Sequence, residues 1–369
     1  MVERRTALII NRYLIRELRN PLAAILGILI ALFASYTAAG FLSDAVNGLL
    51  PVGAIGQLIG LKILISLEVL IPASLYISVL LSFARLHSDS EIAAMSAIRV
   101  TPAALIRAVL TLSGSLALVV AVLSLVVRPF AYQRLHTLSD QTATLLNINA
   151  MEAGSFYVGK HGTRVIFLGH RSRQGSSARD VFVKLRHHDR TEIIFAHVAN
   201  ELPTETLTSG ADVYLTDAHI YELDRADGQP DQILQAQGLV VSPNGRKEGA
   251  AGYSAVAASS AHLLASPSNE DTAELQWRLS TPVSTLLLGL LGIPLSRTKP
   301  RQNKYSRFVN ALLVYFGYYL LCTSARTWVQ HGVIGWFPGI WWAPLLLGLF
   351  FIATMYSENL KFGFRHRTA

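Results

Sequence analysis

The sequence predicts an α-helical membrane protein: six transmembrane helices, arranged three plus three, with an all-β domain inserted between the halves. Three observations predict it. The 369 residues are 51% hydrophobic and only 15% charged, where a soluble domain carries about 25% charged residues. Six apolar stretches, 21–42, 59–83, 103–127, 279–296, 308–327 and 339–356, have roughly the 20-residue length that crosses a bilayer. Between the third and the fourth, the texture changes to short alternating runs rich in Val, Ile, Phe and Tyr.

The first stretch follows Arg4, Arg5, Arg12, Arg16 and Arg19. It has the length of a full span rather than of a signal core, and further spans follow. An uncleaved span is therefore expected over a signal peptide cut near Ala39. The fourth stretch is short and holds Pro282 and Pro294. Orientation comes from the short flanks. Segments 1–20, 84–102, 297–307 and 357–369 carry 15 Lys or Arg, and loops 43–58 and 328–338 carry none. Positive flanks stay cytoplasmic, so both termini are expected inside and the middle domain outside. The net charge of +8 sets topology in this reading rather than binding nucleic acid. The single cysteine, Cys322, cannot form an internal disulfide.

The expected domains are 1–127, 128–278 and 279–369. In the middle one, GSFYVG, TRVIFLGH, DVFVKLR, TEIIFAHV, ADVYLTDAHIYELD and QILQAQGLVV each read as a strand. Short strands with turn signals between them predict a sandwich or an open roll. Residues 242–272 are small and polar and read as a loose connector back to the fourth span.

Several apparent motifs dissolve on inspection. GSFYVGKH, residues 154–161, imitates a phosphate-binding loop, but His161 stands where a Ser or Thr must reach magnesium, and a strand follows in place of a helix. A hairpin is expected there. His187, His188 and His197 lack the further ligands at fixed spacing that a metal requires. Gly53, Gly56 and Gly60 have the spacing of a close helix contact, but a loop accounts for them equally well.

Charges inside or at the ends of the spans are costly, about 2.5–3.5 kcal/mol at mid-bilayer on insertion scales. Lys62 and Glu68 are six residues apart, about 600° around a helix, so a simple pair between them is not expected. Arg128 at the end of span three reads as snorkelling to the interface. For Lys62 and Arg326, snorkelling and contact with an anionic ligand remain equally open.

The stretch RLHSDSEIAAMSAIRVTP, residues 85–102, stands between spans two and three. Ser88 and Glu91 have capping-box spacing, and Thr101-Pro102 ends the helix. A helix this short has no core of its own. It docks on lipid, on its own spans, or in a groove of another protein.

This stretch resembles the signature of the lipopolysaccharide-export permeases, the LptF/LptG family. So do RYLIRE at 12–17 and AELQWRLSTP at 273–282, in the same order, and the likeness covers nearly the whole chain. The opening and the loop signature look closer to the F subunit than to the G subunit. The resemblance implies a non-catalytic, six-span subunit of the Gram-negative inner membrane, carrying a periplasmic β-jellyroll. It implies a second permease subunit, LptG, and a dimer of the LptB ATPase, which holds the ATP and magnesium; this chain needs no cofactor. It implies handover of lipopolysaccharide through the jellyroll to LptC and LptA. It makes residues 86–100 the coupling helix, with Leu86, Glu91, Ile92 and Met95 meeting the ATPase, and it makes Arg326, with Lys62 behind it, a substrate contact. One departure is that the outer end of span one, SYTAAGFLSDAV, lacks the basic residues common in the family. Val165, Phe167, Phe182, Ile194 and Phe195 are candidates to face acyl chains, although Ile194 and Phe195 cannot share a face. A lipoprotein-release-type permease, expected to have four spans, and a membrane-anchored β-domain sensor, expected to carry a larger cytoplasmic part, are the alternatives.

Overall fold

The computed structural model describes residues 2–46, 52–98, 100–143, 153–158, 164–172, 177–186, 191–201, 213–223, 231–241, 254–296 and 304–365. The chain divides into two compact units. One comprises residues 1–35, 60–133 and 254–369; the other comprises 36–59 and 134–253.

The helices are α1 (Val2–Val46), α2 (Val52–Ser88), α3 (Glu91–Ala97), α4 (Pro102–Val122), α5 (Arg128–Ala143), α6 (Ser260–Ala265), α7 (Asn269–Ser296), α8 (Lys304–Gln330) and α9 (Trp342–Arg365), with a π-turn at Leu123–Val127 joining α4 to α5. Among the described residues, Ile10–Ser43, Gly53–Ser88, Pro102–Leu138 and Asn269–Ser296 are long and apolar enough to cross a bilayer. The apolar part of α9, Trp342–Tyr356, is shorter. The α8 helix mixes Asn310, Thr323, Ser324 and four tyrosines into its sequence and falls outside that set. Helix α7 starts ten residues before the expected fourth span, so AELQWRLSTP lies within the helix, and Pro282 and Pro294 are accommodated inside it.

Helix α7 is the hub of the helical unit. A Cβ at Gly289 would lie 2.8 Å from the Ser113 Cβ of α4, and one at Gly292 would lie 2.8 Å from a Val79 methyl of α2. Glycine here lets three backbones approach closely where lipid offers no hydrophobic drive for helices to associate. Around this crossing, Tyr76, Leu80, Trp277, Leu288, Leu291 and Tyr318 bury a common core. By contrast, Gly53, Gly56 and Gly60 lie within helix α2 rather than in a loop, and among the described residues nothing lies within 4 Å of their Cβ positions.

Two local expectations change. The capping box is not what starts α3. Helix α2 runs on through Ser88, the N-cap of α3 is Ser90 at φ 61°, and its side chain makes no capping bond. The return segment is not a loose connector over its described part. From Ser254 it forms turns and then α6, where the Ser259 hydroxyl accepts the His262 N–H, and Ser260 donates to the Leu125 carbonyl at 2.7 Å. The π-turn leaves such carbonyls available, because its widened ladder departs from regular α bonding.

The second unit holds one antiparallel sheet: β1 (Phe156–Val158), β2 (Arg164–Arg171), β3 (Ser177–Arg186), β4 (Thr191–Glu201), β5 (Val213–Leu223) and β6 (Gln232–Val241), each beside its neighbour in sequence. All six runs read as strands are strands. The described strands make one meander rather than the two facing sheets of a sandwich. Gly154, at φ +82°, leads into β1, which pairs with β2 in the expected hairpin, while Gly159–His161 lie outside the described residues. One face buries Ile166, Leu168, Val181, Val183, Ile194 and Ala196. Of the five acyl-facing candidates, only Ile194 is on it. Alternation places Phe167, Phe182 and Phe195 on the other face, in register with Phe156 across four strands. Asp180 and Asp217 have positive φ, 55° and 53°. The buried set changes parity across each of them, from Ala178 to Val181 and from Leu215 to Ala218, as it does at a β-bulge.

Candidate functional site

Two assemblies in the helical unit gather the chemically notable side chains. The first is built by α1, α2, α3 and α4. Leu14, Leu86 and Ala108 are fully buried, with Ile10, Ile92, Met95 and Leu105 packed against them. Helix α3 itself has no fully buried residue. Ile92 and Met95 rest half-buried on the cluster, while Ala93, Ala94, Ser96, Ala97 and Ile98 are exposed. Leu86 therefore supports the short helix from beneath and is not part of its free face, because α2 carries it into the core as its last turns. Glu91 accepts a hydrogen bond from the Tyr13 hydroxyl at 2.7 Å. One turn along α1, Glu17 pairs with Arg85 at 2.7 Å, and the Ser78 and Ser82 hydroxyls donate to the carbonyls of Leu18 and Glu17. An open groove between α1 and α3 is lined by Ile10, Tyr13, Glu91, Ala94, Met95 and Ile98.

The second assembly lies where α2, α5, α7 and α8 cross. Arg128 donates to Glu68 at 2.6 Å and to Glu274 at 2.8 Å, and its side chain is 7% exposed. Snorkelling is thus replaced by an internal ion pair. The helix does not end at residue 127, and the π-turn immediately before Arg128 sets its side chain between the two carboxylates. Glu274 also accepts from Arg278 at 3.0 Å and from Arg326 at 2.7 Å, so three guanidinium groups share one buried carboxylate. Arg278 spends its remaining donors on the carbonyls of Ala255, Val256 and Ala258 and on the Ser260 hydroxyl. It thereby ties the return segment to α7. The other Glu68 oxygen accepts from Ser124, Trp277 and Thr281 at 3.0–3.2 Å. Buried charge persists only when paired and hydrogen-bonded in this way.

Arg326 differs from the other two arginines. Its side chain is 20% exposed, its guanidinium stands 5.2 Å from the Trp277 ring centre, and its buried Nε has no hydrogen-bond partner among the described residues. Lys62 is half-buried on α2, and the ion-pair partner of Glu68 is Arg128. Glu274 and Arg278 were legible as an i,i+4 pair within AELQWRLSTP, a spacing that places them on one helix face. In sequence the pair stands at the approach to a span, where apolar length alone gives it no role.

Among the described residues, no group of three or more His, Cys, Asp or Glu side chains is placed to hold a metal ion. His197 is exposed in the second unit, with Nδ1 3.2 Å from Asp180; His187 and His188 lie outside the described residues. The geometry orients and locks charges inside a bundle.

Membrane-length helices packed through glycine, with ion pairs sunk between them and an antiparallel β domain inserted after the third, define a multi-pass membrane protein. The family model of the lipopolysaccharide export system permease LptF/LptG matches residues 12–357, and the chain belongs to that family. It is 26% identical over 353 residues to the lipopolysaccharide export system permease protein LptF of Escherichia coli K12, covering 93% of each chain. The LptF protein of Shigella flexneri matches with the same identity and coverage. The chain is accordingly an inner-membrane transport subunit of the lipopolysaccharide export system.

Proposed function

We propose that the chain is the F-type permease subunit of an ABC transporter that extracts lipopolysaccharide from the inner membrane, driven by ATP hydrolysis in a separate LptB-type ATPase dimer. It pairs with a G-type subunit. Six helices, α1, α2, α4–α5, α7, α8 and α9, span the membrane with both termini cytoplasmic, and the β unit is periplasmic. That unit closes as a jellyroll and passes the lipid to LptC and LptA.

The observation that carries this reading is α3. It is a seven-residue helix with no fully buried residue, placed between two membrane helices and braced by a third. A surface knob on a rigid support is what a motor subunit needs to push on. Glu91, Ala94, Met95 and Ile98, which line the groove beside it, supply the contact. Arg326 is the substrate-facing cation: it is the arginine of the buried cluster with an unsatisfied donor and partial exposure. Its natural ligand is the phosphate of the lipid headgroup, which guanidinium binds well. Lys62 contributes a second positive charge.

The test is affinity purification of the full-length chain from detergent-solubilised membranes, beside its Glu91→Ala variant, with co-purifying proteins identified by mass spectrometry. A small ABC ATPase and a second permease subunit are expected with the native chain, with the ATPase depleted by the variant. A chain that emerges alone in both cases refutes the reading.

A further inference from the structure

Glu91 lies at the first position of α3, and Tyr13 comes from a different helix, 78 residues away in sequence. The bond between them, at 2.7 Å, has the short length of a hydroxyl donating to a carboxylate. Its setting gives it significance. A helix of seven residues cannot hold its own direction, since nucleation is unfavourable and its ends outnumber its internal bonds. Ile92 and Met95 fix which edge of α3 faces the bundle. They do not fix the Glu91 carboxylate, which hangs at the mouth of the groove on rotatable bonds. The Tyr13 hydroxyl does. Tyr13 is itself held by α1, whose next residue, Leu14, is fully buried, and whose next turn is pinned to α2 through Glu17 and Arg85.

We propose that Tyr13 is a positioning residue for the ATPase contact. It holds Glu91 in one orientation at the edge of the groove, so that α1 and α3 together form the surface on which the partner docks. This rests on the reading of α3 as the ATPase-docking helix. A consequence is that displacement of α3 enters the first membrane helix directly, as well as through α2 and α4 on either side of it. The partner chemistry this surface fits is a cation flanked by apolar side chains. Glu91 is the acidic group of a groove otherwise walled by Ile10, Ala94, Met95, Ile98 and the tyrosine ring.

The experiment uses the full-length chain, reconstituted with its partner permease subunit in lipid nanodiscs and titrated with purified ATPase subunit. Four forms are compared: native, Tyr13→Phe, Glu91→Gln, and the double variant. Tyr13→Phe keeps the ring and removes only the donor. It is expected to weaken ATPase binding about three- to tenfold, in line with the net loss of one solvent-exposed hydrogen bond. Glu91→Gln is expected to weaken it at least as much. The double variant should be no worse than the poorer single one, because the hydroxyl then has no carboxylate to orient. The melting temperature should not change between native and Tyr13→Phe. If Tyr13→Phe binds like native while Glu91→Gln does not, positioning is refuted and docking on α3 stands. If neither variant changes binding, the docking reading fails as well. Additive losses in the double variant, or a melting temperature that falls in step with affinity, assign Tyr13 a merely structural role and overturn the proposal.

Discussion

Glu17 with Arg85 and Glu274 with Arg326 are the same chemical pair at the same distance, 2.7 Å. Their surroundings are opposite. The Arg85 and Glu17 side chains are 55% and 26% exposed, whereas Glu274 is fully buried and receives two further arginines. Water screens the first pair and offers both groups an alternative partner, so the pair guides geometry without contributing much free energy. The second has no water to fall back on. Removing the shared carboxylate there strands buried charge, at a cost of about 3–5 kcal/mol for a buried pair. The end of the bundle that carries α3 is therefore held by many weak polar ties over a small apolar cluster, while the crossing of α2, α5, α7 and α8 is held by a few strong ones. A surface that must meet and release a partner suits the first construction. A hub that keeps its alignment while other parts move suits the second.

The largest expected effect comes from Glu274→Ala. It leaves Arg128, Arg278 and Arg326 without their shared carboxylate and should lower stability by at least about 3–5 kcal/mol. The variant is expected to be lost from the membrane fraction or to melt far below native in detergent; a near-native melt would remove the hub from the comparison. Next is Gly292→Ala, which adds a methyl 2.8 Å from a Val79 carbon and should cost about 1–3 kcal/mol by forcing α7 off α2. Thermal unfolding of the purified chain reads this directly, and no change would mean that the helices are spaced more loosely than the glycines imply. Arg326→Gln should cost less, below about 2 kcal/mol, since Arg128 and Arg278 still neutralise Glu274. In the reconstituted transporter it should reduce lipopolysaccharide release far more than it reduces the melting temperature. Equal reductions in both would make Arg326 a structural strut like Arg128 and Arg278. Smallest is Arg85→Ala, about 0.2–1 kcal/mol for an exposed pair, and the effect should shrink further as salt is raised. A loss as large as that of Glu274→Ala would erase the contrast between the two regions.

The parts of this fold that were legible in sequence depend on local pattern. Apolar length marked the stretches that α1, α2, α4 and α7 extend, and the alternation of Val, Ile, Phe and Tyr located all six strands. What escaped depends on partners far along the chain. Arg128 meets Glu68 across 60 residues and Glu274 across 146, and no window centred on Arg128 contains either. The capping box failed for a related reason. Ser88 and Glu91 have the right spacing, but α2 continues through Ser88, so the position that would have been a cap is the end of another helix. Glycine shows how spacing misleads. The run with Gly53, Gly56 and Gly60 had the conspicuous pattern, while the contacts fell at Gly289 and Gly292, inside an unremarkable leucine-rich span. In the sheet, alternation predicted that Ile194 and Phe195 must separate, but not that Ile194 is the one that packs against Ile166, Val183 and Ala196.

The hydrogen-bonded loop of the π-turn at Leu123–Val127 spans one more residue than that of the α-helix on either side of it. It therefore acts as a phase offset: side chains before it and after it are out of step by one position, about 100° of rotation. Deleting a single residue from this turn would restore an unbroken α-helix and swing Arg128 away from both glutamates without altering any of the three charged residues. Inserting one would overshoot in the other direction. The alignment of the hub is thus encoded in a count of residues as much as in their identities, and a length change here should be as damaging as the loss of the arginine itself.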